Sequence, residues 1–244
     1  MSATLPKQLP THLDLPDTDG LPVHNSAEPT QTRLLTESLR PVLQHLHPDG
    51  KYFIGQDTGI YYRLTDPPLK GCKSPDWCYI PGVDPVPPDY PYRRSYVMWH
   101  ETVAPLVLIE YVSDDSRSEW DQTPKEGKFW VYETVFRAQY YAIHDHATGK
   151  LEVFQRINNR FELMKPNERG RYPIDTFGVE LGVHREHIDG FELDWLRWFD
   201  KNGTMLPSDD GRAKEADERA KKFEDLAAKM AAKLRELGVD PNRI

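Results

Sequence analysis

An α/β domain built on a mixed sheet, followed by a charged helical tail, is the fold class this sequence predicts. Three observations carry it. Apolar residues recur at helical spacing early in the chain, short β-branched and aromatic runs follow one another through its middle, and near its end small apolar residues step by three and four among Lys, Arg, Glu and Asp.

Residues 1–25 hold Pro6, Pro10, Pro16 and Pro22 among polar residues without any period, and read as an extended arm. A helix is expected over 30–46, where Leu34, Leu35, Leu39, Val42, Leu43 and Leu46 share a face, with a kink or break near Arg40 because Pro41 removes a helical hydrogen bond. The period then shortens. Residues 52–54, 59–62, 77–80 and 96–99 read as strands, and the proline-dense stretch from Pro81 to Pro91 as a loop. The run from Pro105 to Val112 is apolar on both faces, as a central strand covered by helices should be. A helix over 124–137 and a strand over 140–143 follow, then strands at 151–154 and 160–163 around an Asn158-Asn159 turn. The main domain is placed at 26–200.

The tail, 208–238, carries Ala213, Ala216, Ala220, Phe223, Ala227, Met230, Leu234 and Leu237 as a coiled-coil-like seam, stopped by Gly238 and Pro241. The seam is thin and short, roughly three heptads, and marginal alone. Docking back on the domain and forming a homodimer are both open readings.

At 244 residues and 38% hydrophobic composition the chain can fill one α/β core with appendages, and a mean hydropathy of -0.70 assigns part of it to solvent. Apolar runs too short for a bilayer and a start without signal-peptide character predict a cytoplasmic protein that does not enter a membrane. A net charge of -8 argues against a strong, sequence-independent grip on nucleic acid, leaving Arg93-Arg94 and 165–171 as short basic patches that read as solvated loops. Cys72 and Cys78 read as plain thiols, since a structural zinc site needs four ligands and a reducing compartment disfavours a disulfide. His144-Asp145-His146 reads as turn chemistry, His184 with His187 offers two ligands without a third, and Asp57-Thr58-Gly59 reads as a turn. No glycine-rich phosphate loop, Gly-x-Ser-x-Gly elbow or kinase signature is present.

Three residues concentrate the chemistry. Asp76 follows Pro75, Glu110 closes the apolar run, and Lys128 opens Lys128-Phe129-Trp130-Val131-Tyr132. Singly each has a plain reading: a turn cap, a paired strand-end carboxylate, an exposed lysine. Together they suit a magnesium site, because that hard cation is held by one or two carboxylates while water and phosphate complete its shell, and a lysine can stabilise charge developing on phosphate. A glutamate on a buried strand is also costly unless it is paired or bound to metal.

Four sets of residues then resemble one family: Pro75-Asp76; the strand ending in Glu110 with Val112-Ser113 after it; Lys128 four residues before Tyr132; and Gln139 to Asp145. Over about 25–198 the chain resembles the Uma-two family, a group of restriction-endonuclease-like proteins within the PD-(D/E)xK nuclease superfamily. Members often carry an alanine- and charge-rich tail ending as Leu234 to Gly238 does here.

The resemblance implies a restriction-endonuclease-like αβββαβ core, Asp76 and Glu110 as metal ligands, and Mg2+ as cofactor with Mn2+ as a substitute. In the wider superfamily the lysine lies two residues after the glutamate; that place here is Val112, and Lys128 on the next helix is the equivalent, with Lys125 as competitor and helical register favouring Lys128. Many members have Ser-Pro where this chain has Ser113-Asp114-Asp115-Ser116, and the loop beyond contains Trp120 and Gly127. The superfamily's first helix often adds an acid, for which Glu28 and Glu37 both qualify.

The expected function is magnesium-dependent hydrolysis of DNA. Asp76, Glu110 and the backbone carbonyl of Tyr111 would hold the cation, Lys128 would steady the pentacovalent phosphate, and Tyr132 and Ser113 would support them. The rival class is a degenerate nuclease fold that recruits partners through its tail, favoured by the acidic balance and the missing strand lysine. An enzyme acting on RNA or a nucleotide is a third reading.

Overall fold

A computed structural model of the chain describes residues 9–17, 25–88, 90–112 and 117–237. The chain divides into two compact units, 1–206 and 207–244. In the first, chain order is α1 (Glu28–Leu46), β1 (Tyr52–Gln56), β2 (Ile60–Tyr61), β3 (Cys72–Lys73), β4 (Trp77–Pro81), β5 (Tyr96–Val97), α2 (Met98–Glu101) and β6 (Val107–Tyr111). Then come α3 (Lys128–Trp130), which widens into a π-helical turn over Val131–Phe136, and β7 (Tyr140–Asp145), β8 (Lys150–Ile157), β9 (Arg160–Leu163), β10 (Tyr172–Ile174), β11 (Val179–Ile188) and β12 (Phe191–Asp200). The second unit is α4 (Asp209–Glu236).

The main sheet is six-stranded in the order β1-β4-β6-β7-β8-β9. It is mixed, because β6 and β7 run parallel while β4 and β6 run antiparallel. Taken as α1, β1, β4, β6, α3 and β7, the core has the αβββαβ order. The pairs β2–β3 and β2–β5 form a small separate sheet.

Strand β6 is buried along its whole length, and its alternation decides what faces what. Val107, Ile109 and Tyr111 point into a core with Leu35, Leu39 and Leu43 of α1, Trp77 and Tyr79 of β4, and Leu196 and Trp198 of β12. Leu108 points the other way, into a core with Cys78, Phe129, Val131, Tyr132, Phe136 and Tyr141. Each such side chain taken fully out of water contributes about 1.5–3 kcal/mol. Glu110 has the parity of Leu108, so it enters the face covered by α3.

Several expectations change. α1 starts at Glu28 and runs through Pro41 without a break. The helix expected over 124–137 starts only at Lys128, because Thr123 to Gly127 form a turn in which Gly127 N–H donates to Thr123 O at 2.8 Å. Residues 98–99, expected in a strand, are the first turn of α2, since Val97 is the last residue paired with β2. The sheet β10-β11-β12 was not anticipated at all. Of the expected arm, residues 9–17 are described: Leu15 packs with Tyr61 and Val97, and Trp99 donates its indole N–H to Pro10 O at 2.9 Å. Gly238 and Pro241, the expected helix stop, lie outside the described residues. No helix among the described residues is long and apolar enough to cross a membrane.

Candidate active site

The site is built where β4 begins and β6 ends. Antiparallel pairing sets Trp77 opposite Ile109, so one step outward Asp76 stands opposite Glu110. Asp76 shares the parity of Cys78 and therefore the α3 face. Its Oδ2 accepts the backbone N–H of Tyr111 at 2.5 Å. On the far edge of β6, Val112 N–H donates to His144 O at 2.9 Å, so the Tyr111 peptide groups turn the other way, toward Asp76.

Glu110 is wholly buried and both its oxygens are engaged. Lys128 Nζ donates to Oε2 at 2.9 Å, and the Tyr132 hydroxyl donates to Oε1 at 2.5 Å. Lys128 and Tyr132 reach one carboxylate because residues four apart share a helix face. Gly127 sets the approach: a Cβ there would come within 2.2 Å of Asp121 O, so only glycine lets the helix start this close to the preceding loop.

Three further charged residues belong to the neighbourhood. Glu119, buried at 1% exposure, lies with Oε1 3.7 Å from Lys128 Nζ, and its Oε2 has no hydrogen-bond partner among the described residues. It was missed because a glutamate in an aperiodic polar loop reads as solvated. Lys73 lies on the edge of the same site: it pairs with Ile60, which is buried in the α3-side core, and its charge acts on Lys128, Glu110 and Asp121. A two-residue strand gives no periodicity from which to place it. Glu28, at the start of α1, accepts the Asn25 amide at 2.9 Å and its charge reaches Asp76 and Tyr111, whereas Glu37 pairs with Arg33 at 3.5 Å. Of the two acids proposed on this helix, Glu28 is the one beside the site.

The family model described as "Putative restriction endonuclease", Uma2, matches residues 21–184, more than half of the chain. The chain belongs to the Uma2 family. No curated protein sequence matches it significantly. A solved structure from Anabaena variabilis ATCC 29413, described as a putative nuclease belonging to DUF820, is 11% identical, covers 63% of this chain and 75% of its own, and has a TM-score of 0.37.

The electrostatics of this Uma2 domain follow from burial and crowding. Burial, and then the charge of Glu110, raise the Asp76 carboxyl well above the ordinary range, against the lowering effect of the Tyr111 N–H. Burial works against a charged Lys128, but the charge and hydrogen bond of Glu110 outweigh it, so the ammonium is held more firmly than usual. Burial and then Lys128 lower Lys73. The Tyr132 hydroxyl is raised by burial and by Glu110, and it stays protonated as a donor.

Among the described residues no group of three or more His, Cys, Asp or Glu side chains comes together as a metal site. What the chain offers is a pair of carboxylates with a backbone carbonyl beside them. That donor set suits a hard cation that keeps several waters, and the crowding that drives Asp76 toward its neutral form is what a cation between the two acids would relieve. The residues present therefore fit magnesium.

The remaining candidates fall outside. Lys125 adopts φ 71° in the turn before α3 and its carbonyl accepts the Tyr62 hydroxyl at 3.2 Å, so Lys128 is the lysine at the carboxylates. Ser113 lies outside the described residues. Arg93 is buried against Glu101 and the rings of Phe53 and Tyr96, Arg94 pairs with Asp17 at 3.0 Å, and Arg169 and Arg171 both face Glu180, so these four arginines are held in internal ion pairs. Asp145 caps the turn after β7, while His144 is buried and its Nε2–H donates to Asp194 O at 2.8 Å. His184 and His187 lie on β11 opposite Trp195 and Glu192. Neither Cys72 nor Cys78 forms a disulfide among the described residues, and burial pushes the Cys78 thiol up to about 12.

Proposed function

We propose that this chain is a magnesium-dependent endonuclease that hydrolyses DNA phosphodiester bonds at the Asp76–Glu110–Lys128 centre, and that it works in the cytoplasm. The observation that carries this reading is a wholly buried Glu110 holding Lys128 at 2.9 Å while Asp76 is anchored one hydrogen bond away, on the residue after it. A carboxylate is taken out of water at this cost only with a charge to meet.

Asp76, Glu110 and the Tyr111 carbonyl would hold Mg2+, with Mn2+ as substitute. When bound, the cation would lower the pKa of a water and offset charge on the phosphoryl oxygens. Tyr132 keeps the Glu110 carboxylate in one orientation through its short hydrogen bond. Lys128, charged and 26% exposed, can turn its remaining N–H donors to a phosphate oxygen at the site mouth, where charge grows as the phosphorus becomes five-coordinate. Lys73 adds a second cation on the same side. These local charges let a protein of net charge -8 meet a polyanion.

A second reading is supported by α4. It buries none of its residues and leaves Phe223 at 71% and Met230 at 59% exposure, as a helix awaiting a partner would. Homodimerisation through this helix is compatible with the nuclease reading, and recruitment by an inactive core is the alternative to it.

The test is a substrate panel of duplex DNA, single-stranded DNA, RNA and nucleotides, with and without Mg2+. Metal-dependent cleavage of DNA by the native chain, lost in Asp76→Ala and in Glu110→Gln with the fold kept by circular dichroism, is the expected result. Cleavage undiminished in both variants refutes the assignment, and RNA-only cleavage corrects the substrate.

A further inference from the structure

We infer that Glu119 is the alternative counter-ion of Lys128: it takes the ammonium when Glu110 turns to a cation, and so acts as a positioning residue for the site. The inference rests on the cation-dependent reading above and deepens it.

The free protein poses a conflict. Glu110 Oε1 is taken by Tyr132 and Oε2 by Lys128, so a divalent cation approaching this carboxylate meets an ammonium already seated there. Two positive charges on one carboxylate repel, and in a buried setting the repulsion is weakly screened. Lys128 must lean away, and a lysine leaving its carboxylate without a new partner would be uncompensated.

Glu119 is where it can lean. Its Oε1 is 3.7 Å from Lys128 Nζ, so a shift of less than about 1 Å makes an ordinary hydrogen bond. An ammonium has three donors, and the transfer therefore needs no flip of the side chain. Glu119 is held ready. The Ser118 hydroxyl donates to its Oε1 at 2.8 Å, and the Tyr141 hydroxyl donates to its backbone oxygen at 2.8 Å. The next residue, Trp120, is pinned by its indole N–H on Glu152 at 2.7 Å.

The second observation is the unpartnered oxygen. Glu119 is 1% exposed and its Oε2 has no hydrogen-bond partner among the described residues. A buried carboxylate oxygen left so costs free energy and requires a reason. Spare accepting capacity on this carboxylate, whose Oε1 accepts only the Ser118 hydroxyl and whose Oε2 accepts nothing among the described residues, is room for an ammonium that arrives in the loaded state. Lys128 faces Glu110, Glu119 and Asp76, with Lys73 as the like charge; Glu119 is the acid among them that neither pairs across the strands nor is needed for the cation.

The experiment is a double-mutant cycle read by calorimetric Mg2+ titration of the full chain: native, Glu119→Gln, Lys128→Met and the double variant. Glu119→Gln should weaken Mg2+ binding by about tenfold, the middle of the range for directly coupled charged groups, and should have no effect once Lys128 is replaced. Equal weakening in both backgrounds would reduce Glu119 to a bulk charge effect and overturn the inference, as would no weakening in either. Mg2+ binding that Glu110→Gln abolishes and Glu119→Gln leaves intact refutes the inference alone. A native chain that binds no Mg2+ refutes the cation reading with it. Should Lys128→Met fail to fold, the Lys128 ammonium signal by NMR decides: Mg2+ should expose it to solvent exchange in Glu119→Gln and not in the native chain, and equal protection in both contradicts the proposal.

Discussion

Asp76 Oδ2 accepts the backbone N–H of Tyr111 at 2.5 Å, which ties the residue that leads into β4 to the end of β6 and holds the two acids of the site on one face. The bond is made by a carboxyl that burial and Glu110 drive toward its neutral form. A group whose folded-state pKa lies above its unfolded value of about 3.9 favours folding fully at low pH, and that contribution is lost as pH rises through the folded value. At neutral pH, then, Asp76 opposes folding of the metal-free chain. Asp76→Asn keeps an acceptor for the Tyr111 N–H and should raise Tm at pH 7, by about 2–4 °C for each kcal/mol recovered, with the gain shrinking toward pH 4. Thermal unfolding across pH checks it; a drop in Tm at pH 7 contradicts it.

Tyr132→Phe removes the donor on Glu110 Oε1 and leaves a wholly buried carboxylate oxygen unmatched. The expected loss is about 1–3 kcal/mol of stability by denaturant unfolding, with a fall in cleavage rate larger than the fall in substrate affinity. Native stability in this variant would show that the hydroxyl does not hold the carboxylate.

Lys73 tests the phosphate-facing side. It carries a lowered pKa from burial and from Lys128, and its strand leads directly into Asp76. Lys73→Met should weaken DNA binding in Ca2+ and reduce the slope of log K against log salt by about 0.9, one phosphate contact. Lys73→Arg should restore the slope. An unchanged slope in Lys73→Met places the residue outside the nucleic-acid contact.

The helix α4 predicts an assembly. Light scattering should give a dimer for the full chain and a monomer for residues 1–206, which form a compact unit by themselves. A monomeric full chain removes the homodimer reading.

Sequence pattern carried much of this architecture, and its failures have physical causes. β6 was legible because it is buried on both faces and so has no polar alternation, and Glu110 stood out against it. The family resemblance pointed to a lysine on the next helix, and helical register favoured Lys128 over Lys125. The start of α3 was misjudged because helical propensity over 124–127 yields to the close packing of Gly127 on Asp121. β11 and β12 carry a local hairpin signal: Asp189-Gly190, with φ 52° and 88°, turns between Ile188 and Phe191. Glu119 and Lys73 had none, since tertiary packing alone buries them.

The most direct measurement compares nicking of supercoiled DNA in Mg2+ by the native chain and by Glu110→Gln, which keeps the side chain's shape and removes its charge. The account predicts nicking by the native chain that EDTA stops and a loss of about a hundredfold or more in the variant. Equal nicking by both, in a variant that unfolds cooperatively, would contradict a centre built on Glu110.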